Sequence, residues 1–215
     1  MKTLCYGVLL VCITTGVSAQ SKAIYVNPDF ARLAKNHKEL AILPFDVTME
    51  LRPRERAQIS DEQLYEMQIA EGKGVQSALH SYFLKKKAKK EFKVDFQDPR
   101  KTNAELAKAG IDLTMIDQHT PAELAELLGV NGIIWGELHT TKPMSEGASA
   151  ALGVVFGVWG PTNAGSISIQ ISDGKTEEIL WKYDKTLSRE LGSDINTIID
   201  AMMRKASRKF PYNFL

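Results

Sequence analysis

The residues TPAELAELLGVNGIIWGELHT, 120–140, decide the fold. Thr120 stands one place before a proline and three before Glu123. That is a cap, a proline at the first helical position and a carboxylate able to reach back to the cap. Leu124, Leu127 and Leu128 then recur at helical spacing, and Gly129 stands where a helix ends in the left-handed conformation. Residues 132–140 begin wholly apolar and then alternate, as a strand does when it is buried first and half-buried later. A short capped helix running straight into a buried strand is the building unit of an α/β sheet.

The surrounding sequence extends that unit in both directions. Downstream, 166–172 alternate cleanly, Asp173-Gly174-Lys175 is a hairpin turn signal, and 179–187 is the return strand. A last helix, capped by Ser193, places Ile195, Ile198, Ile199, Met202, Met203 and Ala206 on one face, and Phe210-Pro211 stops it. Upstream, 40–47 form a short apolar strand in which Pro44 marks an edge or an end. The polar residues 50–60 read as a loop. Ser60, Asp61, Glu62 and Gln63 then open a long helix with a capping box. Leu64, Met67, Val75, Leu79, Tyr82 and Phe83 share its inner face. Gly72 and Gly74 weaken its middle by up to ~1 kcal/mol each, so a bend or very close packing is expected there. Residues 91–96 alternate as a half-buried strand, and Thr102 caps a short helix over 103–108. Residues 20–39 read as an irregular arm with a short helix from Pro28. Strands separated by helices first and joined by a hairpin later predict an α/β fold. This is a single-domain mixed β-sheet covered by helices over 40–215, with an apolar, Gly/Ala-rich insertion between two of its strands at 142–165.

The first nineteen residues have a different character. Lys2 precedes a mostly apolar core too short for a membrane span, and Val17-Ser18-Ala19 fits signal cleavage after Ala19. Cys12 raises the option of lipid attachment, but Val11 fits that signal poorly. Both cysteines of the chain, Cys5 and Cys12, leave with residues 1–19. The exported remainder therefore relies on a core rather than on disulfides. The whole chain carries 27 Lys and Arg against 26 Asp and Glu. Loss of Lys2 balances them, which offers no global attraction to nucleic acid or anionic lipid.

The insertion carries GASAALGVVFGVWG at 147–160, without a charge. Ser145, Ser149, Gly153 and Gly157 recur every four residues, a small-residue stripe that lets another backbone approach closely if the segment is helical. Leu152, Phe156 and Trp159 lie among the apolar residues beside it. The run is short for a helical span but long enough for a transmembrane strand. Three fates follow: packing on its own domain, self-association, or membrane contact. Close packing on this domain or on a second copy, with Gly153 and Gly157 at the contact, is the specific expectation.

Chemistry is sparse by comparison. His37, His80, His119 and His139 show no i, i+3 or i, i+4 pairing, so no metal site and no cofactor site is expected. Gly165-Ser166-Ile167 is not a nucleophile elbow, and Gly174-Lys175-Thr176 matches only the end of a phosphate loop. A dispersed hydrolase site would need His139, Glu137 and Asp184 to converge. Lys85, Lys86, Lys87, Lys89 and Lys90 suit a solvated helix end better than a lipid surface. No catalytic residue is expected.

Four stretches are similar to a known family: AILPFDV, the long helix followed by FKVDF, the 120–138 block, and ISIQISDGKTEEILWKYD. Together they resemble the curli secretion channel (CsgG-like) family, related bacterial surface lipoproteins, and the amino-terminal domain of the TolB translocation protein. The resemblance implies a bacterial, periplasmic or outer-membrane-associated, non-enzymatic protein. Channel members form rings by inserting hairpins into the outer membrane. With only one long insertion here, the fold and compartment carry over, and channel activity does not. The expectation is an exported assembly or scaffold component that associates with itself or with an envelope protein. The alternative is a periplasmic lipid- or small-ligand-binding module, with the insertion as a lid over a pocket at Trp135 or Trp181.

Overall fold

The computed structural model describes residues 22–141, 165–187 and 195–213. Seven strands among them form one sheet: β1 (Lys22–Val26), β2 (Glu39–Ile42), β3 (Asp46–Met49), β4 (Asp95–Phe96), β5 (Gly132–Thr140), β6 (Gly165–Asp173) and β7 (Ile179–Leu187). Their order is β1-β7-β6-β5-β2-β4, with β3 beside the second half of β5. β2 and β3 run parallel to β5, and β4 parallel to β2, whereas β5, β6, β7 and β1 are successively antiparallel. This is the mixed α/β sheet that the strand and helix order predicts.

The helices among the described residues are α1 (Phe30–Leu33), α2 (Pro53–Arg56), α3 (Asp61–Ala88), α4 (Pro99–Lys108), α5 (Pro121–Leu128) and α6 (Ile195–Ala206). α3 and α6 cover one face of the sheet. Met67, Val75, Leu79 and Phe83 of α3 and Ile198, Met202 and Met203 of α6 are buried there with Ile134, Leu138, Ile167, Ile169 and Ile171. On the other face, α4, α5 and the 3-10 turn Leu113–Gln118 cover only the region of β2 and the start of β5. Leu106, Ile116, Leu124, Ala125 and Leu128 pack there on Ala41, Leu43 and Ile133.

The helix-start signals act as expected. Ser60 and Thr120 each accept a bond from the backbone three residues on, and Gln63 and Glu123 reach back to the cap N–H. Gly129 ends α5 with φ +66°. The lysine run at the end of α3 is held by acids: Lys85 by Asp200, Lys86 by Glu91 at 2.8 Å, and Lys87 by Asp95.

Several boundaries differ from expectation. The arm at 20–39 contains an edge strand, β1, whose partner is β7. Only its Ile24 packs on the core, so its sequence lacks a strong alternating signal. The strand expected over 40–47 is two strands interrupted at Leu43-Pro44-Phe45. The loop expected over 50–60 holds the one-turn helix α2. The strand expected over 91–96 is only two residues long, because Phe92 and Val94 are both buried outside the ladder. α4 starts at Pro99, capped by Asp98; Thr102 is buried inside it and donates its hydroxyl to Gln97. The turn after Asp173 spans five residues before β7 begins. Ser193 falls outside the described residues.

Two glycines explain how the interrupted strand is seated. Phe45 N–H donates to the Gly72 carbonyl at 3.3 Å, and a β-carbon on Gly72 would stand 2.2 Å from the Phe45 carbonyl oxygen. A β-carbon on Gly136 would stand 2.6 Å from the Phe45 ring. Phe45 is thus wedged between α3 and β5 at points where neither backbone carries a side chain. The mid-helix glycine marks close packing.

A buried polar chain ties three distant segments together. His37 Nε2–H donates to Asp173 Oδ1 at 2.7 Å, and His37 Nδ1 lies 2.7 Å from the Tyr212 hydroxyl. A carboxylate only accepts, so the His37 ring carries its proton at Nε2 toward Asp173. Burial, with the nearby Asp173 carboxylate, pushes the Tyr212 hydroxyl up, which keeps it a donor.

Candidate functional site

α4 and α5 cover only part of the second face, and among the described residues no other element covers the sheet beyond them, where side chains are half-buried to exposed. Strand alternation and register decide what it presents. Trp135, Glu137 and His139 of β5 face the same way, opposite to Ile134 and Leu138. Across the ladder, Glu137 pairs with Ser168 and Ser168 with Asp184, while His139 pairs with Ser166 and Ser166 with Thr186. On the other side Asp46 pairs with Glu137 and Thr48 with His139. The exposed half-sheet is therefore polar, with Trp135 at the boundary of the helical cover and Tyr25 exposed at its far edge.

Two clefts indent this face. The first, about 380 Å³, lies where the cover stops. Its walls are Leu43, Ile116, Leu124, Ile133 and Trp135, and its polar side carries Asp117, His119 and Glu177. Local sequence places these groups. The 3-10 turn before Thr120 brings Asp117 and His119 to the edge of α5, and alternation in β5 turns Ile133 and Trp135 toward them. Trp135 Nε1–H points to the Ser172 hydroxyl at 3.4 Å. His119 lies 3.9 Å from Glu123 on the first turn of α5.

The second cleft, about 360 Å³, is lined by Glu137, His139, Ser166, Ser168, Asp184 and Thr186. The three groups that a dispersed hydrolase would need do converge here. As placed, they are near one another without a hydrogen-bonded relay among the described residues. His139 Nε2 is 4.0 Å from Glu137, both side chains are about half exposed, and neither serine is hydrogen-bonded to His139 among the described residues. A general base must reach the proton it takes at roughly 2.6–3.2 Å. Among the described residues no group of three or more His, Asp or Glu side chains is placed to hold a metal ion, and no helix is long and apolar enough to cross a membrane.

The other expectations divide in the same way. Trp135 lines a cleft. Trp181 does not: it is fully buried between Tyr183 and Phe210, and its Nε1–H donates to the Lys209 carbonyl. Its place in alternating β7, facing α6, puts it in the core, so a pocket at Trp181 is excluded. Ser145, Ser149, Leu152, Gly153, Phe156, Gly157 and Trp159 lie outside the described residues. The apolar cleft itself is not legible as a motif, because its lining comes from four separate segments. Its signal is the amphipathic break in β5, where Trp135 follows two isoleucines and precedes Gly136 and Glu137.

No family model matches the chain, and no curated protein matches it. The solved structures similar over most of its length include the following three. Lipoprotein GNA1162 from Neisseria meningitidis has 11% identity and a TM-score of 0.43, over 80% of this chain and 98% of that one. The C-terminal domain of LpoB from Escherichia coli has 10% identity and a TM-score of 0.37, over 75% and 93%. A PelC dodecamer from Paraburkholderia phytofirmans has 9% identity and a TM-score of 0.35, over 86% and 94%.

Proposed function

We propose that this chain is a non-enzymatic, exported bacterial protein serving as an assembly or scaffold component of an envelope complex. It would act in the periplasm, at the inner face of the outer membrane. The observation that carries the reading is the half-covered sheet. β5, β6 and β7 are packed by α3 and α6 on one face, and no described element covers the other beyond Trp135. Such a face, polar beyond Trp135 and with an aromatic at each border, suits contact with another macromolecule better than it suits catalysis. The 142–164 connection leaves and re-enters at Thr140 and Gly165, the end of that same half-sheet. Its small-residue stripe, including Ser145, Ser149, Gly153 and Gly157, supplies the self-association or envelope-partner surface. The leader at 1–19 supports export, and the resemblance to the secretion-channel family supports the compartment.

Cross-linking mass spectrometry in cells tests this reading. Cross-links from the exposed half-sheet or from 142–164 to a second copy or to an envelope protein are expected, and Gly153→Leu should remove them. Only cross-links within one chain, with wild type and variant alike, would sink it.

A second reading rests on a separate observation, the apolar cleft at Trp135. Its size falls near the small end of ligand pockets, which run roughly 300–1,000 Å³, and its walls are aliphatic and aromatic. It fits a small-ligand-binding module. Tryptophan emission that shifts with an apolar ligand in wild type but not in Trp135→Phe supports this reading. No change across a panel of lipids and small molecules counts against it.

A further inference from the structure

We propose that the cleft at Trp135 takes a small organic cation: a flat or compact apolar body bearing a quaternary or protonated amine. This rests on the second reading above, that the cleft binds a small ligand, and adds the ligand's charge and size.

Three features of the cleft converge on that chemistry. Its walls are apolar, so the ligand's body is apolar. Its volume, about 380 Å³, admits a compact ligand rather than a full lipid tail pair. The formal charges that line it are both negative: Asp117 from the 3-10 turn and Glu177 from the β6–β7 turn, with no Lys or Arg among the lining residues. The neighbouring Glu123 adds a third carboxylate beside His119. The mouth therefore favours a cation and disfavours an anion. Trp135 strengthens the preference, because an indole face attracts a cation better than any other aromatic side chain. Glu177 is held in place by backbone geometry: it sits at φ +63° in the turn, with its N–H donated to the Asp173 carbonyl. The cleft is thus built from parts of the fold that are anchored independently: a 3-10 turn, the middle of a central strand, and a turn pinned through Asp173.

The test uses three ring compounds that differ in charge: benzyltrimethylammonium, benzyl alcohol and phenylmethanesulfonate. Binding is read from the indole N–H signal of Trp135 in nitrogen-labelled protein, assigned with Trp135→Phe. The cation should saturate the signal at least about threefold more tightly than the alcohol, and the sulfonate should not bind. In Asp117→Asn/Glu177→Gln the cation's affinity should fall to that of the alcohol, with the alcohol unchanged. If that variant does not fold, the wild-type protein serves: the cation's affinity should drop from low to high salt while the alcohol's holds. Equal binding of cation and alcohol, insensitive to the carboxylates and to salt, would overturn the charge assignment and leave the small-ligand reading standing. So would tightest binding of the sulfonate. No response to any of the three would remove both.

Discussion

Asp173 shows how one side chain can hold several segments at once. Burial alone would push its carboxyl up. The hydroxyl and N–H of Thr176, and then the His37 ring, donate to it and outweigh burial, holding it below the usual carboxylate range. A carboxyl held low in the folded state and ordinary in the unfolded state stabilises the fold fully above the unfolded value, about 4. That contribution is lost as pH falls through the lower folded value. Asp173→Asn should therefore cost ~1–3 kcal/mol near neutral pH by removing a buried charged acceptor. The difference from wild type should shrink as pH falls below about 4. Urea unfolding at a series of pH values measures this, and a constant difference down to strongly acid pH would contradict it. Tyr212→Phe should give a smaller loss without that acid dependence, because its hydroxyl stays protonated throughout.

At the scale of elements, the glycines separate two physical roles that look alike in sequence. Gly129 needs its backbone angle: φ is +66°, and a β-carbon there would meet nothing within 4 Å. Gly129→Ala should cost roughly 1–2 kcal/mol through conformation alone. Gly72 needs space: its φ is ordinary for a helix, and a β-carbon would press on the Phe45 carbonyl. Alanine would normally gain ~1 kcal/mol over glycine inside a helix. Here it should lose ~1–3 kcal/mol, as overpacking does. Thermal unfolding of the two variants checks both, and a stabilised Gly72→Ala would mean that Phe45 does not seat against α3. The same contrast explains what was legible beforehand. Capped helices and hairpin strands carry local signals, so α3, α5, β5, β6 and β7 read correctly from Ser60, Thr120, Gly129 and the alternation of 166–172. β1 and the break at Pro44-Phe45 depend on partners far away in sequence, β7 for one and Gly72 and Gly136 for the other. The candidate site behaves the same way. Of the two tryptophans expected at a pocket, Trp135 lines a cleft. Trp181 was misplaced because alternation alone does not say which face of β7 meets α6. Asp117 and Glu177 belong to turns with no periodic signal, and only the folded chain brings them to one cleft.

At the scale of the molecule, the open question is what the exposed half-sheet and the 142–164 connection do together. α3 and α6 pack on the isoleucines of β6. A chain with nearly balanced charges has little self-repulsion to oppose association. The connection adds a long uncharged segment with a small residue every fourth place. Its removal from water against a second copy is the favourable outcome that the half-covered sheet permits. Protein spanning 20–215 should therefore sediment as an oligomer at micromolar concentration. Gly153→Leu, which fills the small-residue stripe, should shift it to monomer with far-ultraviolet circular dichroism unchanged. Glu137→Gln/His139→Gln, on the exposed face but away from the stripe, should leave the oligomer intact if the connection drives association, and weaken it if the sheet face does. A protein that stays monomeric at high concentration and does not float with liposomes would show that the connection packs on its own domain. The exposed half-sheet would then have to recruit a different partner by its polar face alone.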